Sequence, residues 1–129
     1  EGIRLYGKAE GGEDFWMYAA AFAASTGDRM DCINKALAIR PVFPTALYAR
    51  ALLHLNERND PYFADLDFTN TITCNPNFAP AWKARGTLRM KANRSAEAIE
   101  DLERALQLTP ADHPDRKAIE ALLQQIPKR

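Results

Sequence analysis

The chain has 129 residues, of which 47% are apolar and 26% charged, a composition typical of one folded globular domain. Its 17 lysines and arginines balance its 17 aspartates and glutamates, so it lacks the broad positive field that non-specific binding to nucleic acids needs. We therefore expect no direct nucleic-acid binding by this segment and no membrane binding.

Two further classes of protein are disfavoured by the sequence. The longest apolar stretch, Phe15 to Ala24, has about half the length of a membrane-spanning helix. No charged-then-apolar signal segment opens the chain, so we expect a cytoplasmic location. Cys32 and Cys74 belong to no CxxC pair or cysteine and histidine cluster, which predicts neither a zinc site nor a disulfide. We expect both to be small buried apolar residues.

Residues 1–12 form the first predicted segment. Tyr6 and Ala9 lie three residues apart before Gly11 and Gly12, a pattern that is typical of the end of an amphipathic helix. We expect this segment to be the end of a preceding helix or an N-terminal cap. If a preceding repeat has been removed, the apolar face that this repeat covered is exposed. That face should cause self-association through the N-terminal end.

The rest of the chain is periodic. Pro41, Pro76 and Pro110 lie 35 and 34 residues apart, and each ends an amphipathic run. A fixed period of this size indicates a solenoid of helical hairpins, because one hairpin cannot bury its apolar face alone. The predicted repeats are residues 13–41, 45–76 and 79–110.

Each repeat is predicted to contain two helices separated by a turn. Residues that break helices lie near the middle of each repeat, around Gly27, Asn59 and Asn93. Small residues are expected where the two helices approach, and bulky Phe68 and Leu102 between successive hairpins. The small residues are Ala19, Ala20, Ala51 and Gly86 in the first helices and Ala64 and Ala98 in the second.

Residues 111–129 are predicted to form a capping helix and a tail, opened by Asp112, His113 and Pro114. One side of this helix is apolar, as expected for a helix that covers the exposed face of the last repeat. The residues assigned to that side are Ala118, Ile119, Leu122, Leu123 and Ile126.

The run AWKARGTLRMKANRSAEAIEDLERALQLTP resembles a tetratricopeptide repeat in its tryptophan, glycine, two alanines, leucine and terminal proline. The resemblance covers about residues 13 to 110, with Trp16, Tyr48 and Trp82 as the aromatic residues that open the repeats. It implies an all-α fold, a right-handed α-α superhelix of about three helical hairpins with a C-terminal capping helix.

The first repeat is irregular. Alignments that start from Trp16 and from Pro41 differ by about three residues, which predicts a shortened turn between its two helices.

Arg85 and Arg89 stand where the family usually has a large apolar residue and a tyrosine. We expect them to extend to solvent or to pair with Asp65 or Asp67 of the preceding helix. They also belong to a basic run, from Trp82 to Arg94, that contains no acidic residue. Recognition of an acidic peptide is one interpretation of this run, and a solvated helix face is the other.

No catalytic pattern is present. His54 and His113 have no carboxylate or cysteine at metal-ligand spacing, so His54 should lie on a helix surface and His113 should help to open a helix. The chain also lacks a glycine-rich phosphate loop. We therefore expect no enzyme activity, no catalytic residue, no metal and no cofactor.

In the tetratricopeptide repeat family, the first helices line a concave groove that binds a protein or peptide partner. The resemblance implies apolar contacts at Leu53 and Met90, with Lys83 and Lys91 setting the orientation of the partner. Ordinary core packing is the alternative for Leu53 and Met90. The predicted groove residues are Asp14, Ala49, Leu53, Asn56, Glu57, Lys83, Thr87, Met90 and Lys91.

The family members that bind chaperone tails use a lysine and an asparagine in the groove of the first repeat. The corresponding positions here hold Asp14, Met17, Tyr18 or Ala21, so capture of a chaperone tail is disfavoured. A scaffold or adaptor domain is the favoured function. The alternatives are an effector or signal-receiving domain of a bacterial winged-helix transcription regulator, and the non-catalytic appendage of an enzyme.

Overall fold

The computed structural model of the protein describes residues 12–23 and 25–127. This part of the chain contains seven α-helices and no β-strand, so the predicted all-α fold class is confirmed. The helices are α1 (Gly12–Ala21), α2 (Thr26–Ile39), α3 (Pro44–Asn56), α4 (Pro61–Cys74), α5 (Ala79–Lys91), α6 (Ser95–Leu108) and α7 (Pro114–Gln125).

Most of the predicted N-terminal segment lies outside the described residues, Tyr6 and Ala9 included. The self-association expected from this end therefore stays a prediction. No helix in the described ranges has the length and apolar character needed to cross a membrane.

The chain divides into two compact units, one ending at Asp67 and the other beginning at Phe68. In the first unit α1 packs against α2, and α2 packs against α3. In the second unit α5 packs against α6, and α6 packs against α7. Within each unit, these helices therefore contact the helix that follows them in the chain, as the hairpin pattern predicts.

The helix starts follow from local chemistry. The Ser25 side chain accepts a hydrogen bond from the Asp28 backbone N–H at 3.1 Å, which satisfies a free donor of α2. At α7 the His113 Nδ1 atom accepts from the Asp115 N–H at 3.0 Å, and Pro114 fills the first position. His113 thus opens a helix, as predicted.

Two of the predicted breaks are confirmed. Asn59 and Asn93 have φ angles of 53° and 64°, a left-handed conformation that asparagine tolerates and that ends helices α3 and α5. The third is misplaced by a few residues, because α1 ends at Ala21 and α2 begins at Thr26, so that Gly27 itself lies inside α2.

The shortened turn predicted for the first repeat is also wrong. Four residues separate α1 from α2, as many as separate α3 from α4. The irregularity comes from Trp16, which lies five residues before the last residue of α1, whereas Trp82 lies nine before the last residue of α5. Trp16 is therefore about one turn further along its helix and is not the equivalent of Trp82.

The core of the second unit lies where α5, α6 and α7 meet. Leu102 is fully buried, and a Cβ atom added at Gly86 would lie 2.8 Å from Leu102 Cγ, so glycine permits this close approach of α5 and α6. Ile119 of α7 and Ile126, directly after α7, are buried against Leu102 and its neighbours, but Ala118 is exposed and does not belong to the apolar side.

The expected small residues are mostly buried at helix contacts. Ala51, Ala64 and Ala98 are each 0% exposed, which fits close approach of helices at these positions. Cys32 and Cys74 are half-buried free thiols, so the expectation that they are buried is wrong.

Candidate functional site

The first unit contains an apolar cavity of about 310 Å³ between α1, α2 and α3. Its walls include Met17 of α1, Ile33 of α2 and Leu52 of α3, and its rim carries the charged residues Arg29 and Glu57. An apolar hollow with a few polar groups at its edge is the usual form of a binding site.

Four of the predicted groove residues line this cavity: Ala49, Leu53, Asn56 and Glu57. Asn56 and Glu57 are exposed, and Ala49 is half-buried. Leu53 is only 9% exposed, so it belongs to the core and also borders the cavity. The structure therefore brings these four side chains together.

The two charges at the rim differ in their contacts. The Glu57 Oε1 atom accepts a hydrogen bond from the Thr26 hydroxyl at 3.1 Å, which ties this carboxylate to α2. The half-buried Arg29 side chain has no hydrogen-bond or ion-pair partner in the described part of the chain. Its charge therefore remains available to a ligand.

The groove residues predicted in the second unit have other surroundings. The Lys83 Nζ atom lies 3.6 Å from the Asp115 carboxylate, and the Thr87 hydroxyl donates to the Lys83 carbonyl at 2.8 Å. Met90 packs against the core of this unit, while Lys91 is exposed. The Met90 side chain is therefore partly buried against the core, which agrees with the alternative interpretation of this residue.

Asp14, the remaining predicted groove residue, lies in α1. Its side chain lies outside the described part of the structure.

The basic run of α5 is largely neutralised by the chain's own carboxylates. Arg85 forms a two-pronged contact with Asp101, its Nε and Nη2 atoms each donating to a carboxylate oxygen at 2.9 Å. Arg89 donates to the same carboxylate at 3.2 Å, and Arg94 binds Glu97. With Lys83 also close to a carboxylate, the run is poorly suited to an acidic peptide.

Asp101, on the helix after α5, was missed by the sequence analysis, which named Asp65 or Asp67 of the helix before it. The Asp67 carboxylate accepts two hydrogen bonds from Arg50, at 2.8 and 3.0 Å. Arg50 and Arg85 lie 35 residues apart, and this spacing is the one signal by which both contacts were detectable.

The matching contacts correct the alignment of α3 with α5. They make Arg50 equivalent to Arg85, and therefore Tyr48 equivalent to Lys83, with Leu47 at the position of Trp82. Aligning Tyr48 with Trp82 was wrong by one residue, which corresponds to a rotation of about 100° around a helix. With this alignment, Asn56 and Lys91 are equivalent, but the other groove residues predicted on α3 and α5 are not at equivalent positions.

His54 contacts two side chains of α4 in addition to lying on the surface of α3. Its ring lies 5.6 Å from the ring of Phe63, and its Nε2 atom lies 3.7 Å from the Asp67 carboxylate. No group of three or more potential metal ligands occurs among the described residues.

Comparison with known proteins identifies one of the predicted repeats. Residues 79–112 match the family model described as tetratricopeptide repeat. The chain is 34% identical over 111 residues to the DnaJ homolog subfamily C member 7 homolog of Dictyostelium discoideum. The match covers 80% of this chain but 19% of that protein, so the chain spans about a fifth of the length of this relative.

Solved structures share the fold at low sequence identity. The Sgt2 TPR domain from Aspergillus fumigatus has a TM-score of 0.74 at 20% identity, covering 88% of this chain and 76% of that one. The first TPR of Spaghetti (RPAP3), bound to the HSP90 peptide SRMEEVD, has a TM-score of 0.63 at 21% identity, covering 88% of each chain. The TPR2B domain of yeast Sti1, in a complex with pHsp70, has a TM-score of 0.68 at 18% identity, covering 95% and 91%.

Proposed function

Since this chain belongs to the tetratricopeptide repeat family, we propose that it is a scaffold or adaptor domain that binds an extended segment of a partner protein. The apolar cavity of the first unit, with Ala49, Leu53, Asn56 and Glu57 at its surface, is the observation that carries this proposal. Residues 13–41, 45–76 and 79–110 are the proposed repeats, with 1–12 before them and 111–129 as cap and tail.

The cavity suits a side chain of a peptide. Its volume of about 310 Å³ is at the lower end of the usual range for binding pockets, and its walls are mostly apolar. Burying one leucine-sized side chain there would contribute about 1.5–3 kcal/mol. The exposed Asn56 amide at the rim can donate to and accept from a peptide backbone.

The solved relatives support a peptide as the ligand. One was determined with an HSP90 peptide and another as a complex with pHsp70. Chaperone tails are not the partner that we propose, because the first repeat here offers Asp14, Met17, Tyr18 or Ala21 where the clamp needs lysine and asparagine. The proposed role is non-catalytic, and the regulatory alternative stays a prediction.

Filling the cavity tests the proposal. We expect the domain to select peptides with an apolar residue from a displayed library of random 12-residue sequences, and an Ala49→Phe variant to lose those peptides. Ala38→Phe adds the same volume on an exposed face of α2 and should bind as the original chain does. Circular dichroism would check that both variants remain folded.

The SRMEEVD peptide serves as a separate probe. Tight binding of this peptide would contradict the argument against chaperone tails but leave a peptide-binding function in place. Selection of no peptide by the original chain, or equal binding by Ala49→Phe and the original chain, would overturn the proposed site.

A further inference from the structure

We propose that the cavity of the first unit recognises an apolar side chain with a carboxylate close to it in the sequence, and that Arg29 binds the carboxylate. This inference rests on the proposed function and adds the chemistry of the partner to it. The ligand is an internal segment of a partner protein in which leucine or a similar residue lies within two positions of aspartate or glutamate. It needs no C-terminal carboxylate, which distinguishes it from a chaperone tail.

The first step is the unusual state of Arg29. Most arginines described here are held by the chain itself: Arg50 and Arg85 by aspartates, and Arg116 by the backbone carbonyls of α6 and its end. Arg29 is half-buried at the edge of an apolar cavity and has no such partner among the described residues. Covering it with a ligand that offers no acceptor would remove water from an unpaired charge, which is costly.

The second step is the geometry of the guanidinium group. Arginine is charged at every physiological pH and presents five donors in a planar fork that matches a carboxylate. Hydrogen bonds between charged groups contribute more than neutral ones, and a partly desolvated pair is less screened by salt. A carboxylate placed beside the apolar anchor therefore satisfies Arg29 while the anchor fills the cavity.

The third step is the neighbouring negative charge. Glu57 lies at the same rim and is held by the Thr26 hydroxyl, three residues before Arg29 on α2. A ligand carboxylate next to Glu57 would be repelled, so only ligands that direct the carboxylate towards Arg29 are favoured. The two charges together fix on which side of the anchor the acidic residue stands.

The basic run of α5 does not offer the same opportunity. Arg85 and Arg89 already bind Asp101, and Arg94 binds Glu97. A ligand carboxylate would have to compete with these internal partners. Arg29 is thus the better site for an acidic group, although the sequence pattern indicates the basic run from Trp82 to Arg94.

Selection from the displayed 12-residue library with four proteins tests this inference. We expect the original chain to enrich peptides that have an acidic residue within two positions of an apolar one. Arg29→Gln should still select the apolar residue but lose the acidic preference, and Arg29→Lys should keep part of it. Arg58→Gln is the matched control, because Arg58 is exposed, is absent from the cavity lining and has no side-chain partner among the described residues.

The best selected peptide then gives a quantitative test by fluorescence anisotropy. Changing its acidic residue to the amide should weaken binding about tenfold or more to the original chain, and much less to Arg29→Gln. Equal acidic enrichment by both proteins, or apolar enrichment alone, would overturn the role of Arg29 and leave the peptide site intact. Selection of no peptide would overturn both proposals.

Discussion

The two compact units contain the same buried contact in two different settings. In the first unit Arg50 grips Asp67 with two hydrogen bonds and donates a third to Asn34 at 2.8 Å. In the second unit Arg85 grips Asp101 in the same way and donates a third to Thr69 at 3.1 Å.

The settings differ in the second cation near each carboxylate. Asp101 also accepts from Arg89 at 3.2 Å, whereas the equivalent residue beside Asp67, 35 positions earlier, is His54 at 3.7 Å. Arginine is always charged, but histidine is charged only when protonated. The second unit therefore has a permanently charged side chain, Arg89, at the position where the first unit has His54.

Burial differs as well. The Arg50 side chain is 27% exposed, and that of Arg85 is 12% exposed. Removing one partner costs more stability in a more deeply buried ion pair, because water cannot replace the missing partner. Equivalent contacts in neighbouring repeats should therefore respond unequally to the same substitution.

Removal of the shared carboxylates should give the largest effects. We expect Asp101→Asn to destabilise the domain by about 3–5 kcal/mol, because it removes the buried carboxylate charge that Arg85 and Arg89 share. Asp67→Asn should cost less, about 1.5–3 kcal/mol, since Arg50 is closer to solvent. Urea denaturation of both variants measures the difference. Equal losses would show that burial does not distinguish the two contacts.

The helix contact beside each arginine should give the next largest effects. Gly86→Ala should destabilise by about 1–3 kcal/mol, because the added Cβ would lie 2.8 Å from Leu102 Cγ and 3.1 Å from Asp101 Cβ. The equivalent position in the first unit already holds Ala51, and Ala51→Gly should cost about 1 kcal/mol through helix propensity.

Thermal and urea unfolding of this pair of variants provides the measurement. A stabilised Gly86→Ala variant would mean that α5 and α6 can separate slightly without loss, so that the higher helix propensity of alanine dominates.

The hairpins were predictable because local signals define them. Prolines 34 and 35 residues apart, and asparagines in turns, report on the backbone of their own segments. The alignment between repeats was less accurate. The turn between α3 and α4 has four residues and that between α5 and α6 has three, so counting back from Pro76 and Pro110 shifts the first helices by one.

The site was predictable only in part, for the same reason. The groove residues on α3 line one cavity, but the contribution of Arg29 depends on how α2 packs beside α3, which no spacing in the sequence reveals. The pairing of Arg85 with Asp101 likewise depends on which of several nearby carboxylates the folded hairpin brings closest.

Replacing Arg89, the second cation near Asp101, with histidine tests the comparison of the two units directly. Arg89→His should make stability depend on pH, because the introduced imidazole is charged only below about its ordinary pKa of 6.5. A histidine that gains a carboxylate partner has a raised pKa when folded, so its contribution is present at low pH and lost as pH rises. We expect about 1 kcal/mol less stability at pH 8 than at pH 5.5, relative to the original chain. Unfolding measured at both pH values would detect this, and a pH-independent difference would contradict it.

The smallest effect concerns an exposed contact that has the same two-pronged geometry. Arg94 donates to Glu97 at 2.5 and 3.0 Å, but both side chains are 47% exposed. The hydrogen bond from Arg94 lowers the pKa of the Glu97 carboxyl, with a smaller opposing effect of desolvation. A lowered pKa in the folded chain means that the contribution is present above the unfolded pKa and is lost as pH falls through the folded one.

Arg94→Ala should therefore raise the pKa of Glu97 towards the ordinary glutamate value, while the stability of the domain changes little because the contact is solvated. A carbon-detected NMR titration of the Glu97 carboxyl follows this shift. Arg104→Ala is the control on α6, the helix that carries Glu97, since Arg104 donates to the neutral Gln107 amide and not to a carboxylate. An unchanged titration midpoint in Arg94→Ala would mean that the exposed contact is not maintained in solution. A large loss of stability would mean that exposure does not separate this contact from the buried ones at Asp67 and Asp101.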